Sequence, residues 1–127
     1  MGCHEASGER GTVSRRATAL QGDIFLVALD PVAGTEIRGT RPVMILSNAE
    51  FNTGGRALVA PITQGNFERV AGWSVTLMGS GTATQGAAVV SQCRVLDLMA
   101  RNAKKVESAP IEVIEEALAK LQAMIDI

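Results

Sequence analysis

The sequence predicts a mainly β domain: a small, strongly curved antiparallel sheet or partly open barrel, completed by one C-terminal helix. Three observations predict it. Short apolar runs bounded by turn residues recur from Gly22 to Asp97. The connections between them are too short for crossover helices. Apolar residues at alternating three and four spacing occur only near the end of the chain. At 127 residues and 46% hydrophobic content the chain can close one core but not two. With aromatic residues at only 3%, half a dozen short strands fit a curved sheet or barrel better than a two-layer sandwich.

Residues 1–20 carry no apolar periodicity, and Gly, Ser, Thr and Arg dominate them, so they are expected to form a disordered N-terminal extension to a domain spanning 21–127. Ala6 stands where a myristoylation signal needs Ser or Thr, and no apolar h-region follows. The strands expected next are GDIFLVAL, RPVMILS, ALVAPIT, WSVTLM and GAAVVS, the last running into QCRVLD. Their connections, DPVAGTEIRGT, NAEFNTGG, QGNFERVAG and GSGTATQ, are rich in Gly, Asn, Thr or Asp. Over residues 110–126, Ile111, Ile114, Leu118, Leu121 and Ile125 define an apolar helical stripe. Ser108 is the expected N-cap, Pro110 suits the first turn, and Glu112, Glu115 and Glu116 complement the positive end of the helix dipole. Phe25, Phe67 and Trp73 are assigned to core or interface, leaving Phe51 as the one loop aromatic.

Composition excludes several classes. The longest apolar run, Ile24 to Leu29, is far short of the ~20 residues a membrane-spanning helix needs. Cys3 and Cys93 are distant, with no CxxC motif or Cys/His cluster, so a disulfide framework and a structural zinc site both lack ligands. Neither a metal nor a cofactor is expected, and a reducing cytoplasm is the natural compartment. The only histidine, His4, lies in the extension. Cys93 has no histidine to activate it and reads as a small buried residue.

The net charge of -1 hides a segregation. Between residues 36 and 105 stand Arg38, Arg41, Arg56, Arg69, Arg94, Arg101, Lys104 and Lys105 against Glu36, Glu50, Glu68 and Asp97. The last 22 residues, 106–127, hold Glu107, Glu112, Glu115, Glu116 and Asp126 against Lys120 alone. The sheet is basic and the helix acidic. Arginines at strand ends suit forked phosphate contacts, although a solvated surface with ordinary ion pairs explains the same pattern.

Three polar patches stand out. In Gly34-Thr35-Glu36-Ile37-Arg38-Gly39-Thr40-Arg41-Pro42, a loop ends where a strand begins, and Pro42 biases Arg41 toward extended geometry. A carboxylate and an arginine are thus held close, for chemistry or for a simple loop ion pair. The second patch, Val59-Ala60-Pro61-Ile62-Thr63-Gln64, is an apolar strand ending in two hydrogen-bonding side chains, with Pro61 marking an edge strand or a bulge. The third is Ser91-Gln92 with Arg94 two positions on, which plain strand alternation also accounts for.

In this order and spacing, the segments GDIFLVALDPVAGTE, RGTRPVMILS, LVAPITQG, NFERVAG and SQCRVLDLMARNAKKVE, with the helix EVIEEALAKLQ, resemble the PemK/MazF family of toxins from bacterial toxin–antitoxin modules, especially its ChpB-like branch. The resemblance runs from Gly22 to the C-terminus. It implies an SH3-like β-barrel with a C-terminal helix, a homodimer, and a metal-independent endoribonuclease on single-stranded RNA. It also implies inhibition by a cognate antitoxin, through which alone the protein would meet DNA. Arg41 matches the family's catalytic arginine, Thr63 the threonine of its PIT-type strand end, and Glu36 the glutamate that several members use.

Where some members carry a histidine this chain has Thr35, and where they carry an Arg and an Asp it has Val89 and Ser91. A His/Arg/Asp mechanism is therefore not available. What is left is the Arg41/Thr63 arrangement assisted by Glu36, with Arg38, Gln64, Ser91 and Gln92 as RNA contacts. The same architecture resembles the CcdB-type gyrase poison, which is not an enzyme, and a third reading is a weakened catalyst that serves mainly to bind an antitoxin.

Overall fold

The turns and apolar runs fold into β1 (Asp23–Ala28), β2 (Thr40–Ile45), α1 (Ala49–Asn52), β3 (Arg56–Thr63), β4 (Ser74–Thr76), β5 (Ala87–Val89), β6 (Arg94–Asp97), β7 (Lys104–Ser108) and α2 (Ile111–Ile125). The computed structural model describes residues 18–30, 34, 36–64 and 72–126. Every strand pairing among them is antiparallel. The order is β4-β5-β3-β2-β1-β7, with β6 also on β3. The end strands β4 and β7 do not pair with each other, so the sheet is curved and open rather than a closed barrel.

Both faces of this sheet are covered. Ile24, Met44, Ala60, Ile62, Val75 and Ala88 meet Val113 and Ala117 of α2 in one core cluster. Phe25, Val27, Val43, Ile45, Ala57, Val59 and Leu96 form a second cluster on the opposite side. The period of two along β1, β2 and β3 sends alternate residues to the two clusters, so their apolar runs are continuous where simple amphipathic strands would alternate.

β3 is an interior strand, so of the two readings of Pro61, an edge strand or a bulge, the edge falls and the irregularity stands. On one side it pairs with β2, from Val43↔Pro61 to Ile45↔Val59. On the other it pairs first with β6, up to Val59↔Arg94, and then with β5, from Ile62↔Ala88. Ala60 and Pro61 thus face the whole of residues 89–93, which bulge outward as a 3-10 turn at Val90–Gln92. Proline is tolerated there because its missing N–H falls where the ladder changes partner. The single strand expected from GAAVVS into QCRVLD is broken by the same bulge.

Two elements carry too weak a pattern to be expected. α1 is one short turn inside NAEFNTGG, capped by the Asn48 side chain, which accepts from Phe51 N at 2.9 Å. Its last residue, Asn52, is buried, and its amide donates to Ala19 O at 2.8 Å and Ser47 O at 3.0 Å. β7 reads KKVES, with every residue but Glu107 exposed. It is a charged edge strand, held by buried Asp23 rather than by apolar alternation. Asp23 accepts from Ser108 Oγ at 3.0 Å and Leu20 N at 2.9 Å, and pairs with Lys105 Nζ at 3.4 Å.

The helix lies within the expected span but with a different N-cap, and its expected stripe packs inward except at the two ends. Ser108 gives its hydroxyl to Asp23, and Pro110 takes the N-cap position without a side-chain bond. Ile111 and Ile125 are exposed; the buried stripe is Val113 and Ala117, flanked by Ile114, Leu118, Leu121 and Met124. A small residue at 117 lets the helix seat closely, and this rotates the face away from the two terminal isoleucines. Among the aromatics, Phe25 is in the core, Trp73 and Phe51 lie on the surface, and Phe67 falls outside the described residues. Residues 1–17 of the expected extension are also outside them, but Ala19 is buried in the second cluster and so belongs to the fold. No helix among the described residues is long and apolar enough to cross a membrane.

Glu107 ties β7 to the turn before β5. It accepts from Thr84 N at 2.7 Å, Thr84 Oγ1 at 2.6 Å and Ala83 N at 3.0 Å. Burial alone pushes its carboxyl up, but the Thr84 hydroxyl and the two amides outweigh that and hold it below its ordinary 4.5. Glu107→Ala is therefore expected to lower stability at neutral pH by about 1–2 kcal/mol, as measured by urea denaturation. Because the folded carboxyl is the stronger acid, its contribution is present in full above the unfolded value. It fades as the pH falls through the folded one, so parent and variant should converge below pH 4.5.

Candidate active site

The site is built where the start of β2 meets the end of β3. Arg41 is the second residue of β2, lies across from Val27 of β1, and is followed by Pro42. Its Nε donates to Arg38 O at 2.7 Å, which fixes one edge of the guanidinium against the loop. Its Nη1 lies 3.5 Å from Thr63 Oγ1, a long contact that marks a juxtaposition more than a strong bond. Both side chains are half-buried.

Thr63 ends β3 and pairs with Ala87 of β5. Gly86, just before, has φ +112°, and a Cβ there would collide with Thr63 O. The chain entering β5 therefore presses on the Thr63 backbone, and only glycine permits that approach. Gln64 follows as an exposed residue.

The loop before Arg41 is pinned at several points. Gly39 N donates to Asp30 Oδ1 at 3.3 Å and Arg38 Nη2 to Gly34 O at 3.1 Å. At the base of the loop, Arg101 Nη1 donates to Ala28 O at 2.8 Å and Asp30 O at 3.1 Å. Ile37 packs against the second core cluster while its neighbours Glu36 and Arg38 are exposed. The Ile37 N–H donates to Gln92 Oε1 at 2.7 Å, and its carbonyl accepts from Arg94 Nη2 at 3.5 Å. Thr35 lies outside the described residues.

The structure therefore brings Arg41 and Thr63 together, with Arg38 joined to Arg41 through its carbonyl. Glu36 is on the same loop, exposed. Ser91 is exposed on the 3-10 turn, whereas Gln92 has its acceptor engaged by Ile37. The sequence marks Arg94 only as one of the sheet's bases and as a neighbour of that pair. Its guanidinium reaches the carbonyl of the same Ile37 whose N–H Gln92 accepts, and this links it to the loop. Cys93, between them, packs half-buried against the first cluster, and burial pushes its thiol above the ordinary 9.0 despite the opposing pull of its own backbone hydrogen bond and of Arg94. It stays protonated near neutrality and is a poor nucleophile. Among the described residues no group of three His, Cys, Asp or Glu side chains could hold a metal ion.

A cationic fork beside a hydroxyl, on two rigid strand ends, is suited to a phosphodiester: the guanidinium matches phosphoryl oxygens and the hydroxyl can donate or accept. Known proteins share the whole domain. The family described as PemK-like, MazF-like toxin of type II toxin–antitoxin system matches residues 20–125. The endoribonuclease toxin ChpB of Escherichia coli K12 is 49% identical over 108 residues, covering 84% of this chain and 93% of that protein. The endoribonuclease PemK of Escherichia coli is 42% identical, covering 91% and 89%. Among solved structures, MazF of Deinococcus radiodurans superposes with a TM-score of 0.77 at 27% identity, over 87% of this chain and 99% of that one. By this match over nearly its full folded length, the chain belongs to the PemK-like, MazF-like toxin family of type II toxin–antitoxin systems.

Proposed function

We propose that the protein is a toxin that cuts single-stranded RNA as a sequence-specific, metal-independent endoribonuclease, and so arrests translation and growth. The observation that carries this reading is the approach of the Arg41 guanidinium to the Thr63 hydroxyl from adjacent strand ends. The names of the relatives, endoribonucleases in each case, support it. In this reading the protein works in the cytoplasm as a homodimer and is held inactive by a cognate antitoxin, in keeping with the family description.

The RNA supplies its own nucleophile. Its 2′-oxygen bonds to the adjacent phosphorus while the bond from phosphorus to the 5′-oxygen breaks, giving a 2′,3′-cyclic phosphate and a 5′-OH. Glu36 takes the 2′-OH proton, and the departing 5′-oxygen gains one from solvent. Arg41 faces the charge that builds on the equatorial oxygens; it cannot lose its own charge, so its stabilisation holds throughout the step. Thr63 hydrogen-bonds the scissile phosphate or the 2′-OH and keeps the two oxygens in line with phosphorus. Arg38, Gln64 and Ser91 contact the strand on either side. DNA lacks the 2′-OH and is not a substrate.

The purified protein is expected to cut a defined transcript in EDTA, with primer extension and end-labelling reporting cyclic phosphate and 5′-OH termini. Inert RNA together with inhibited gyrase supercoiling would favour the CcdB-type reading instead. Arg41→Ala should lower cleavage by about 10²–10³-fold. Its melting temperature should stay within a few degrees, since a half-exposed arginine near a strand's start adds little stability. Gly86→Ala should displace Thr63, lowering both cleavage and melting temperature, whereas Thr63→Val should lower cleavage alone.

A further inference from the structure

Resting on that ribonuclease reading, we propose that Gln92 is a positioning residue that acts through Ile37 to set the Glu36–Arg41 loop, and is not a contact to RNA. The loop has to present a carboxylate at 36 and a guanidinium at 41 to one phosphodiester, yet both neighbours of Ile37 are exposed and the stretch has no ladder of its own until Thr40. Ile37 is its inward anchor, packed on the second core cluster. Packing alone leaves the peptide groups free to rotate. Gln92 removes that freedom by accepting the Ile37 N–H at 2.7 Å across a sequence separation of 55, and Arg94 reaches the Ile37 carbonyl at 3.5 Å. Arg94 Nε also lies 3.4 Å from Gln92 O, so the two clamps brace each other.

The clamp comes from the fold's own irregularity. Gln92 is the last residue of the 3-10 turn that bulges out where β3 changes partner. In a regular strand the side chain at 92 would sit in the ladder's alternation; the bulge turns it toward the loop. The orientation then propagates two ways. Arg38 O, one residue beyond Ile37, receives Arg41 Nε at 2.7 Å, so fixing Ile37 fixes the carbonyl that aims Arg41. Glu36 is bonded directly to the Ile37 N–H unit, so the same hook sets the direction in which its side chain leaves the chain.

The test compares Gln92→Met, which keeps length but removes the acceptor, with Gln92→Glu, which keeps the acceptor and adds negative charge. Steady-state cleavage of a short RNA containing one cut site gives kcat and KM separately, and amide hydrogen exchange at Ile37 reports the hook. The expected result for Gln92→Met is a fall in kcat of about 10–100-fold, the cost of a misplaced catalytic group, with KM unchanged. Ile37 exchange should quicken while the melting temperature is kept. Gln92→Glu should restore slow exchange and bring kcat back toward the parent.

A rise in KM with kcat intact in both variants, larger in Gln92→Glu, would mean that Gln92 touches RNA and would overturn the proposal. Unchanged Ile37 exchange in Gln92→Met would overturn the hook itself. Altered exchange with unchanged cleavage would overturn its catalytic role while leaving the ribonuclease reading intact. If the parent does not cut RNA, the catalytic part of the proposal falls with that reading, and the exchange data still decide whether Gln92 holds the loop.

Discussion

The exchange of partners along β3 is the constraint on which the rest of the molecule depends. One strand must satisfy β2 on one side and two successive segments on the other, and the join at Ala60 and Pro61 leaves residues 89–93 without a paired partner on β3. The chain answers with a 3-10 turn. From that one accommodation follow the end of β3 at Thr63, the squeeze of Gly86 on the Thr63 backbone, and the outward reach of Gln92. A backbone without an N–H at position 61 is compatible with this arrangement and would weaken an uninterrupted ladder.

The interior has a division of labour. The cluster beneath α2 is sealed by apolar side chains from five strands and the helix, and carries no candidate catalytic group. The second cluster lies under the loop that carries Glu36 and Arg38, and Ile37 reaches into it. Polar anchors then close the periphery: Asp23 binds β7 and the Leu20 backbone to β1, and Glu107 binds the turn at Thr84 to β7. Each uses a carboxylate to collect several donors, so that charged edge segments are held without apolar area.

Much of this was legible in the sequence. The runs DIFLVA, VMI, ALVAPIT and RVLD announced their strands because β-branched and apolar residues recur between turn formers, and the terminal helix announced itself by spacing. Arg41 and Thr63 were readable as strand-end polar residues beside prolines. What escaped has physical causes. KKVES has no hydrophobic period, because its place is secured by Asp23, a partner more than eighty residues away. NAEFN is too short for periodicity, and only the Asn48 cap betrays it. On the helix, Ile114, Leu118 and Leu121 of the expected stripe do pack on the core, while Ile111 and Ile125 at its two ends are exposed and the small Ala117 takes the closest approach to the sheet. Gln92 reads in the sequence as an RNA contact or a solvent-facing residue, because its bonding partner is a backbone N–H, which no side-chain pattern reveals.

Ile37 has a consequence for how the domain can change over time. A substituted side chain in the second cluster, at Leu29, Val43 or Leu98 for example, alters the space into which Ile37 fits, although none of these residues meets solvent. Close-packed interiors relax only partly, and shifts of a fraction of an ångström pass to whatever is seated on them. The seat of Ile37, and with it the loop that carries Glu36 and Arg38, can thus be shifted from the hidden side, by conservative exchanges among aliphatic residues, without altering any exposed atom.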